Sequence, residues 1–263
     1  MAPRFSRARL TDANDPQYRA FLRQIMIGKD NQRPTRPPLP RELFGGEAES
    51  ALRDWLGQHL VLSERRIVEY NEHRGRTAIK KYRELDAVAI PDSKTVEVFE
   101  IKASQKALSV RRASQQLRDT RSILGMLYFR VRTTILLVDT GIPDAQAVAE
   151  LMAGEDPPTF APHTLDEVLA QLPHVRLAPS LAERDPNPEL VNLLRFSVDD
   201  IVALAGAENL HLDWDEPEAD DEADEAEETP PEKPGYAYST DAPATEDEDD
   251  NPLAAALRKA MKG

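Results

Sequence analysis

Asp86, Glu100 and Lys102 are the residues of this chain whose types and spacing point most directly to chemistry. They lie in two segments, 81–90 and 95–103, where polar and apolar residues alternate as in β-strands. Strand side chains point to opposite faces in turn. Tyr82, Glu84, Asp86, Val88 and Ile90 therefore share one face, and Val96, Val98, Glu100 and Lys102 share another. A hairpin loop at Pro91-Asp92-Ser93-Lys94 sets Ile90 opposite Val96, Val88 opposite Val98 and Asp86 opposite Glu100. The two apolar pairs select this register, because a slip of one residue would turn both sets over. Two carboxylates then stand side by side at the inner end of an apolar face, with a lysine two residues further on. Like charges repel strongly in such surroundings. A hard divalent cation, Mg²⁺ or Mn²⁺, relieves the repulsion and keeps waters for a substrate. It also lowers the pKa of a bound water and stabilises charge developing on a phosphodiester. Lys102 is placed to orient the attacking water or to neutralise the phosphate.

The elements that must hold these residues are legible as periodicities. Residues 47–60 predict a helix with Ala51, Leu52, Trp55, Leu56 and Leu60 on one side. Residues 61–71, 81–90 and 95–103 predict three strands. Residues 111–128 return to a helical period, burying Leu117, Ile123, Leu124 and Leu127, and 131–138 is the β-branched run of a buried strand. Residues 44–141 thus form a core of helix, three strands, helix and strand. Before it, 1–43 is a basic arm with a proline cluster over 33–40 and one small docking helix around Phe21, Leu22 and Ile25. After it, 142–212 predicts a mainly helical extension packed on the core, with helices at 144–152, 164–171, 188–194 and 198–204.

Asp86, followed by Glu100-Ile101-Lys102 at the end of the next strand, resembles the acid–(D/E)xK signature of the PD-(D/E)xK nuclease superfamily. The order of elements over 44–141 is similar to that family's αβββαβ core. The resemblance implies an α/β fold, a restriction-endonuclease-like core with a central mixed sheet, followed by extra helices. It also implies a metal-holding glutamate on the first helix, following a glycine at short spacing; Gly45 followed by Glu49 fits that spacing, with Glu47 the weaker candidate. A polar residue from the helix after the third strand is implied too, and Gln116 in Ser114-Gln115-Gln116-Leu117 resembles it. Leu85 stands where the proline that names the motif would be, and Thr120 occupies the spacing of a tyrosine found in some exonuclease branches. The activity implied is Mg²⁺-dependent hydrolysis of DNA, or of RNA, in repair, recombination or defence against foreign DNA. The alternative is a catalytically inactive module on the same fold that binds nucleic acid or recruits a partner.

Charge bears on how a nucleic acid would be held. The formal net charge is −14, yet residues 213–250 carry 18 acids against one lysine, and the body 1–212 is neutral. From Lys102 to Arg132 eight cations face a single acid, Asp119. Lys106, Arg111, Arg112, Arg118 and Arg121 of this stretch, with Lys80 and Lys81 beside the strand of Asp86, are the expected phosphate contacts. The acidic stretch is too poor in apolar groups to fold and is expected to be a disordered linker. Beyond it, 251–263 predicts a short amphipathic helix in which Leu253, Leu257 and Met261 recur, suited to a partner's groove. The chain has no cysteine, which removes disulfides, thiolate metal sites and cysteine nucleophiles. The five histidines show no ligand spacing. Nothing in the sequence reads as a membrane span or signal peptide, so no membrane association and a cytoplasmic location are expected.

Overall fold

The computed structural model describes residues 4–30, 39–75, 77–154 and 157–213. They form an α/β protein with two sheets, one of three antiparallel strands and one of five mixed strands. The elements in chain order are β1 (Phe5–Thr11), α1 (Pro16–Asp30), α2 (Pro40–His59), β2 (Ile67–Arg74), β3 (Thr77–Glu84), β4 (Ala87–Asp92), β5 (Thr95–Ser104), α3 (Ser109–Leu124), β6 (Arg130–Asp139), α4 (Ala145–Met152), α5 (Leu165–Gln171), β7 (Val175–Leu177), β8 (Val191–Ser197) and α6 (Val198–Ala205).

The larger sheet has the order β4-β5-β6-β8-β7, with β4 antiparallel to β5 and the other neighbours parallel. Parallel strands need crossovers, and the helices of those crossovers cover the faces. On one face, Val110, Ala113, Leu117 and Leu124 of α3 pack on Val96, Val98, Ile135 and Leu137. On the other, Phe44, Ala48, Leu52 and Leu56 of α2 pack with Ile201 of α6 on Phe99, Ile101, Leu136 and Val138. The α2 residues recur every four positions, the spacing of one helical stripe. Pro40 opens that helix at its first turn, where a missing N–H costs nothing.

The smaller sheet, β1-β2-β3, is laced by ions. Glu69 pairs with Arg9 and Lys80, and Glu72 with Arg4, Arg74 and Lys81. Tyr18 and Phe21 of α1 stack on Tyr82 of β3. Burial is the main force that pushes the Tyr82 hydroxyl up to about 12, with the nearby Glu69 carboxylate adding to it.

Several sequence expectations change here. Residues 1–43 are more than an arm with one docking helix: the expected helix around Phe21, Leu22 and Ile25 is present as α1 and packs on β3, but β1 is a sheet strand and α2 starts at Pro40, seven residues before the expected Glu47. The proline cluster lies largely outside the described residues. The segment 81–90 is two strands rather than one. Residues up to Glu84 pair with β2, and those from Ala87 pair with β5. Alternation runs unbroken through Leu85 and Asp86, so periodicity carries no mark of the change of sheet. The core order αβββαβ is therefore interrupted by a hairpin, β2-β3, belonging to the other sheet. Residues 61–66 are not part of β2. The expected helix at 188–194 is instead β8, a strand lying between β6 and β7. A short apolar run such as Val191-Asn192-Leu193-Leu194 suits either element by pattern, and only its neighbours decide. The region 142–212 thus completes the main sheet rather than merely packing on it. The acidic stretch from 214 and the C-terminal segment lie outside the described residues. Among the described residues no helix is long and apolar enough to cross a membrane.

Candidate functional site

The break between β3 and β4 is what brings the acids together. Strand pairing places Val88 opposite Val98, as expected, and ends with Ala87 opposite Phe99. At the other end an irregularity after Ala89 shifts the pairing to Asp92 with Thr95, so the expected Ile90–Val96 pair does not form as a ladder pair. Asp86 lies just before the ladder, free of strand constraints, and turns its carboxylate across to β5. Its Oδ2 accepts from the Ile101 N–H at 2.6 Å. Leu85, at the position of the missing proline, is buried and donates its N–H to the Arg66 carbonyl.

Glu100 points from β5 toward α3 and is 1% exposed. Gln116 of α3 donates from Nε2 to Glu100 Oε2 at 3.1 Å. Lys102 Nζ stands 2.7 Å from Glu100 Oε1, but off the line of a directed hydrogen bond, and that buried oxygen has no other partner among the described residues. Glu49 of α2 completes the group: its charge acts on both Asp86 and Lys102. The four residues Asp86, Glu100, Lys102 and Gln116 come together as expected, and Glu49 borders them. Glu47 does not. It accepts from the backbone N–H of His211 at 2.8 Å and pairs with that histidine's ring, on another side of α2.

Two further arginines organise the site. Arg53 forms an ion pair with Glu49 one helical turn away, and its Nε donates to the Asp86 carbonyl at 2.8 Å. It ties the helix to the strand break and restrains Glu49. Arg83 of β3 donates to the Gln116 carbonyl at 2.9 Å and to Thr120 Oγ1 at 2.8 Å. Thr120, in the place of the branch-specific tyrosine, is thus an anchor for the smaller sheet. The i,i+4 spacing of Glu49 and Arg53 was a clue to the first contact. Arg83 gave none, because its partner is 33 residues away.

Burial of Asp86, and next the neighbouring Glu100 carboxylate, push its pKa up to about 7; the Ile101 N–H only partly offsets them. Burial works against the Lys102 ammonium, but Glu100, Asp86 and Glu49 outweigh it and hold its pKa above the ordinary value. Among the described residues no three His, Cys, Asp or Glu side chains form a metal cluster. Glu49 is thus not grouped with Asp86 and Glu100 as the expected third metal ligand, and a cation placed here would have only those two acids, with waters for the rest. That donor set suits Mg²⁺ or Mn²⁺, and the incompletely bonded oxygen of Glu100 is the kind of atom such an ion satisfies. A Mg²⁺ ion held by Asp86 would have to displace its proton, so the affinity of such a site would fall about tenfold per pH unit below about pH 7 and level off above it. Calorimetric titrations from pH 5.5 to 8.5 test this, and a flat profile would rule it out.

The expected phosphate contacts divide into two groups. Lys106, Arg111, Arg112 and Arg118 are exposed on and before α3. Lys80 and Lys81 are committed to Glu69 and Glu72 within the smaller sheet, and Arg121 binds the Pro188 carbonyl and Glu189. Near the start of β6, Arg132 pairs with Glu97 rather than facing solvent alone.

Compared with known proteins, the chain matches no protein-family model and no curated protein.

Proposed function

We propose that this chain is a Mg²⁺- or Mn²⁺-dependent nuclease that hydrolyses DNA phosphodiester bonds, on a restriction-endonuclease-like core embedded in the larger sheet. The observation that carries this reading is the juxtaposition of Asp86 and Glu100 at a strand break, with Lys102 against them and Gln116 holding the second carboxylate. An acid pair of this kind opposes folding, and its contacts with the Ile101 N–H, Gln116 and Lys102 leave the Asp86 carboxyl shifted well above its ordinary value.

Each side chain has a distinct task. Asp86 and Glu100 are the metal-holding carboxylates, and a bound Mg²⁺ supplies a water of lowered pKa and positive charge beside the phosphate. Gln116 and the Ile101 N–H fix the two carboxylates in orientation. Lys102 keeps its proton, held by three acids, so it acts as a hydrogen-bond donor to a phosphate oxygen rather than as a base. Arg53 and Glu49 set the distance between α2 and the strand break. Attack of water on phosphorus would form one P–O bond and break the ester P–O bond opposite it, the water's proton passing to solvent and the departing alkoxide taking one up from solvent in turn. Repair, recombination or defence against foreign DNA are the settings in which such an activity serves.

The test is incubation of the purified chain with labelled linear DNA, circular DNA and RNA under Mg²⁺, Mn²⁺ or chelator. Metal-dependent cleavage of DNA, abolished by chelator, is the expected outcome. Cleavage of no substrate by the metal-loaded protein would overturn the proposal.

Binding to the substrate has its own prediction. Reversing Lys106, Arg111 and Arg118 to glutamate is expected to weaken DNA binding on unrelated sequences alike. The log–log salt slope should become shallower by about 3, near one for each phosphate contact. Fluorescence anisotropy at several salt concentrations reads both quantities. An unchanged slope would show that these cations face elsewhere.

A further inference from the structure

The groove between α2 and the end of α6 lies on a different side of α2 from the acid pair. Glu47, Ala51, Asp54 and Trp55 recur along one helical face, whereas Glu49 and Arg53 turn toward Asp86. With Leu204 and Leu210 opposite, these residues line a space of about 340 Å³. Its floor is apolar, with Leu204 41% exposed and the Trp55 ring half-buried against Phe196. Its rim carries the exposed carboxylate of Asp54 beside that of Glu47, which His211 already holds. The last described residues arrive at this groove, because His211 is bonded to Glu47.

We propose that the groove is the docking site for this chain's own segment 253–262, which closes the acidic stretch into a loop held against the body. Leu253, Leu257 and Met261 recur every four residues, which in a helical period gives an apolar stripe about 12 Å long. The groove face from Glu47 to Trp55 covers the same eight-residue step, also about 12 Å. Arg258, Lys259 and Lys262 supply the charge that the acidic rim lacks. The stretch 213–250 is excluded as occupant, since it has the sign of the rim. The 39 residues from 214 to 252 extend to roughly 130 Å, so reach does not limit the return. Tethering also raises the local concentration of the segment toward the millimolar range, about what a short amphipathic contact requires. The proposal stands independently of the nuclease reading.

Trp55 and Trp214 are the tryptophans of the chain, so full-length Trp214→Phe leaves Trp55 as the reporter. In that background Trp55 is expected to be shielded from iodide. Leu257→Asp with Met261→Asp should raise the quenching constant several-fold and shift emission to the red. Asp54→Lys should do the same, and Arg258→Glu with Lys259→Glu added to it should restore shielding, which a change in folding would not do. Equal quenching in all these chains would overturn the proposal. Shielding that appears only as protein concentration rises would also overturn it, assigning the groove to a second copy.

Discussion

Asp86→Asn is expected to abolish metal-dependent DNA cleavage while making the folded chain more resistant to heat at pH 8. Both effects come from one carboxyl group. Asparagine keeps an oxygen for the Ile101 N–H but loses the charge that would hold a cation, so cleavage should drop by on the order of a thousandfold or more. Stability moves the other way. The Asp86 carboxyl ionises near pH 7 in the folded protein and near 4 in an unfolded chain. The folded state therefore favours the protonated acid, and stability from this group is full below about pH 4 and lost as pH rises to about 7. Asparagine removes that loss, so the gain in Tm should be present at pH 8 and shrink toward pH 4. Glu100→Gln and Lys102→Ala should match the loss of cleavage, and Asp86→Asn with Glu100→Gln should cost little more than either alone, because the groups act as a unit. Gln116→Ala, which frees Glu100 without removing it, should lose about ten- to a hundredfold. Cleavage by the double variant at the parental rate would sink the assignment. A fall in Tm at pH 8 on Asp86→Asn would show instead that the acid serves the fold.

Glu97→Ala is expected to have the opposite character: a large loss of stability with the site chemistry left intact. Glu97 is on the same strand as Glu100, three residues before it, and faces the other side of the sheet. It is 5% exposed and receives Arg132 Nη1 and Arg184 Nη2, each at 3.0 Å. Arg184 is further held by the Leu181 carbonyl and lies over the Phe99 ring. Removing the carboxylate leaves two guanidinium groups facing each other with little water. Losing one partner of a buried ion pair costs about 3–5 kcal/mol, and the lower end applies here because Arg132 is one-third exposed. For a chain of this size that is a fall of about 10 °C in Tm. A thermal melt of Glu97→Ala beside Asp86→Asn separates an acid that supports the fold from one that opposes it. Loss of less than about 1 kcal/mol would mean that solvent already screens the triad.

How much of this was legible in the amino-acid order depends on the range of the interaction. Alternation and helical period located α2, β5, α3 and β6, and the apolar pair Val88–Val98 fixed the register that sets Asp86 near Glu100. Those are local signals, since a side chain's face follows from backbone geometry alone. The resemblance then pointed to Gln116, whose amide does reach Glu100. Strand membership was a different matter. That 81–84 and 87–90 belong to separate sheets, and that 191–197 is a strand between two others, follows from hydrogen bonds to distant segments that leave no period behind. The basic stretch shows the same limit. Charge along the chain is plain, but only the fold neutralises Lys80, Lys81 and Arg121 and leaves Lys106, Arg111 and Arg118 exposed. Arg53, Arg83 and Arg184 act at separations of 33 to 87 residues, or at a backbone carbonyl, where sequence spacing has no meaning. The residue types and the β4–β5 register were thus determined locally, whereas the strand break that turns Asp86 toward β5 was not. The burial of the two acids, nearly complete for Glu100 and partial for Asp86, and with it the raised pKa of Asp86, was decided only when α2, α3 and the strand break closed around them.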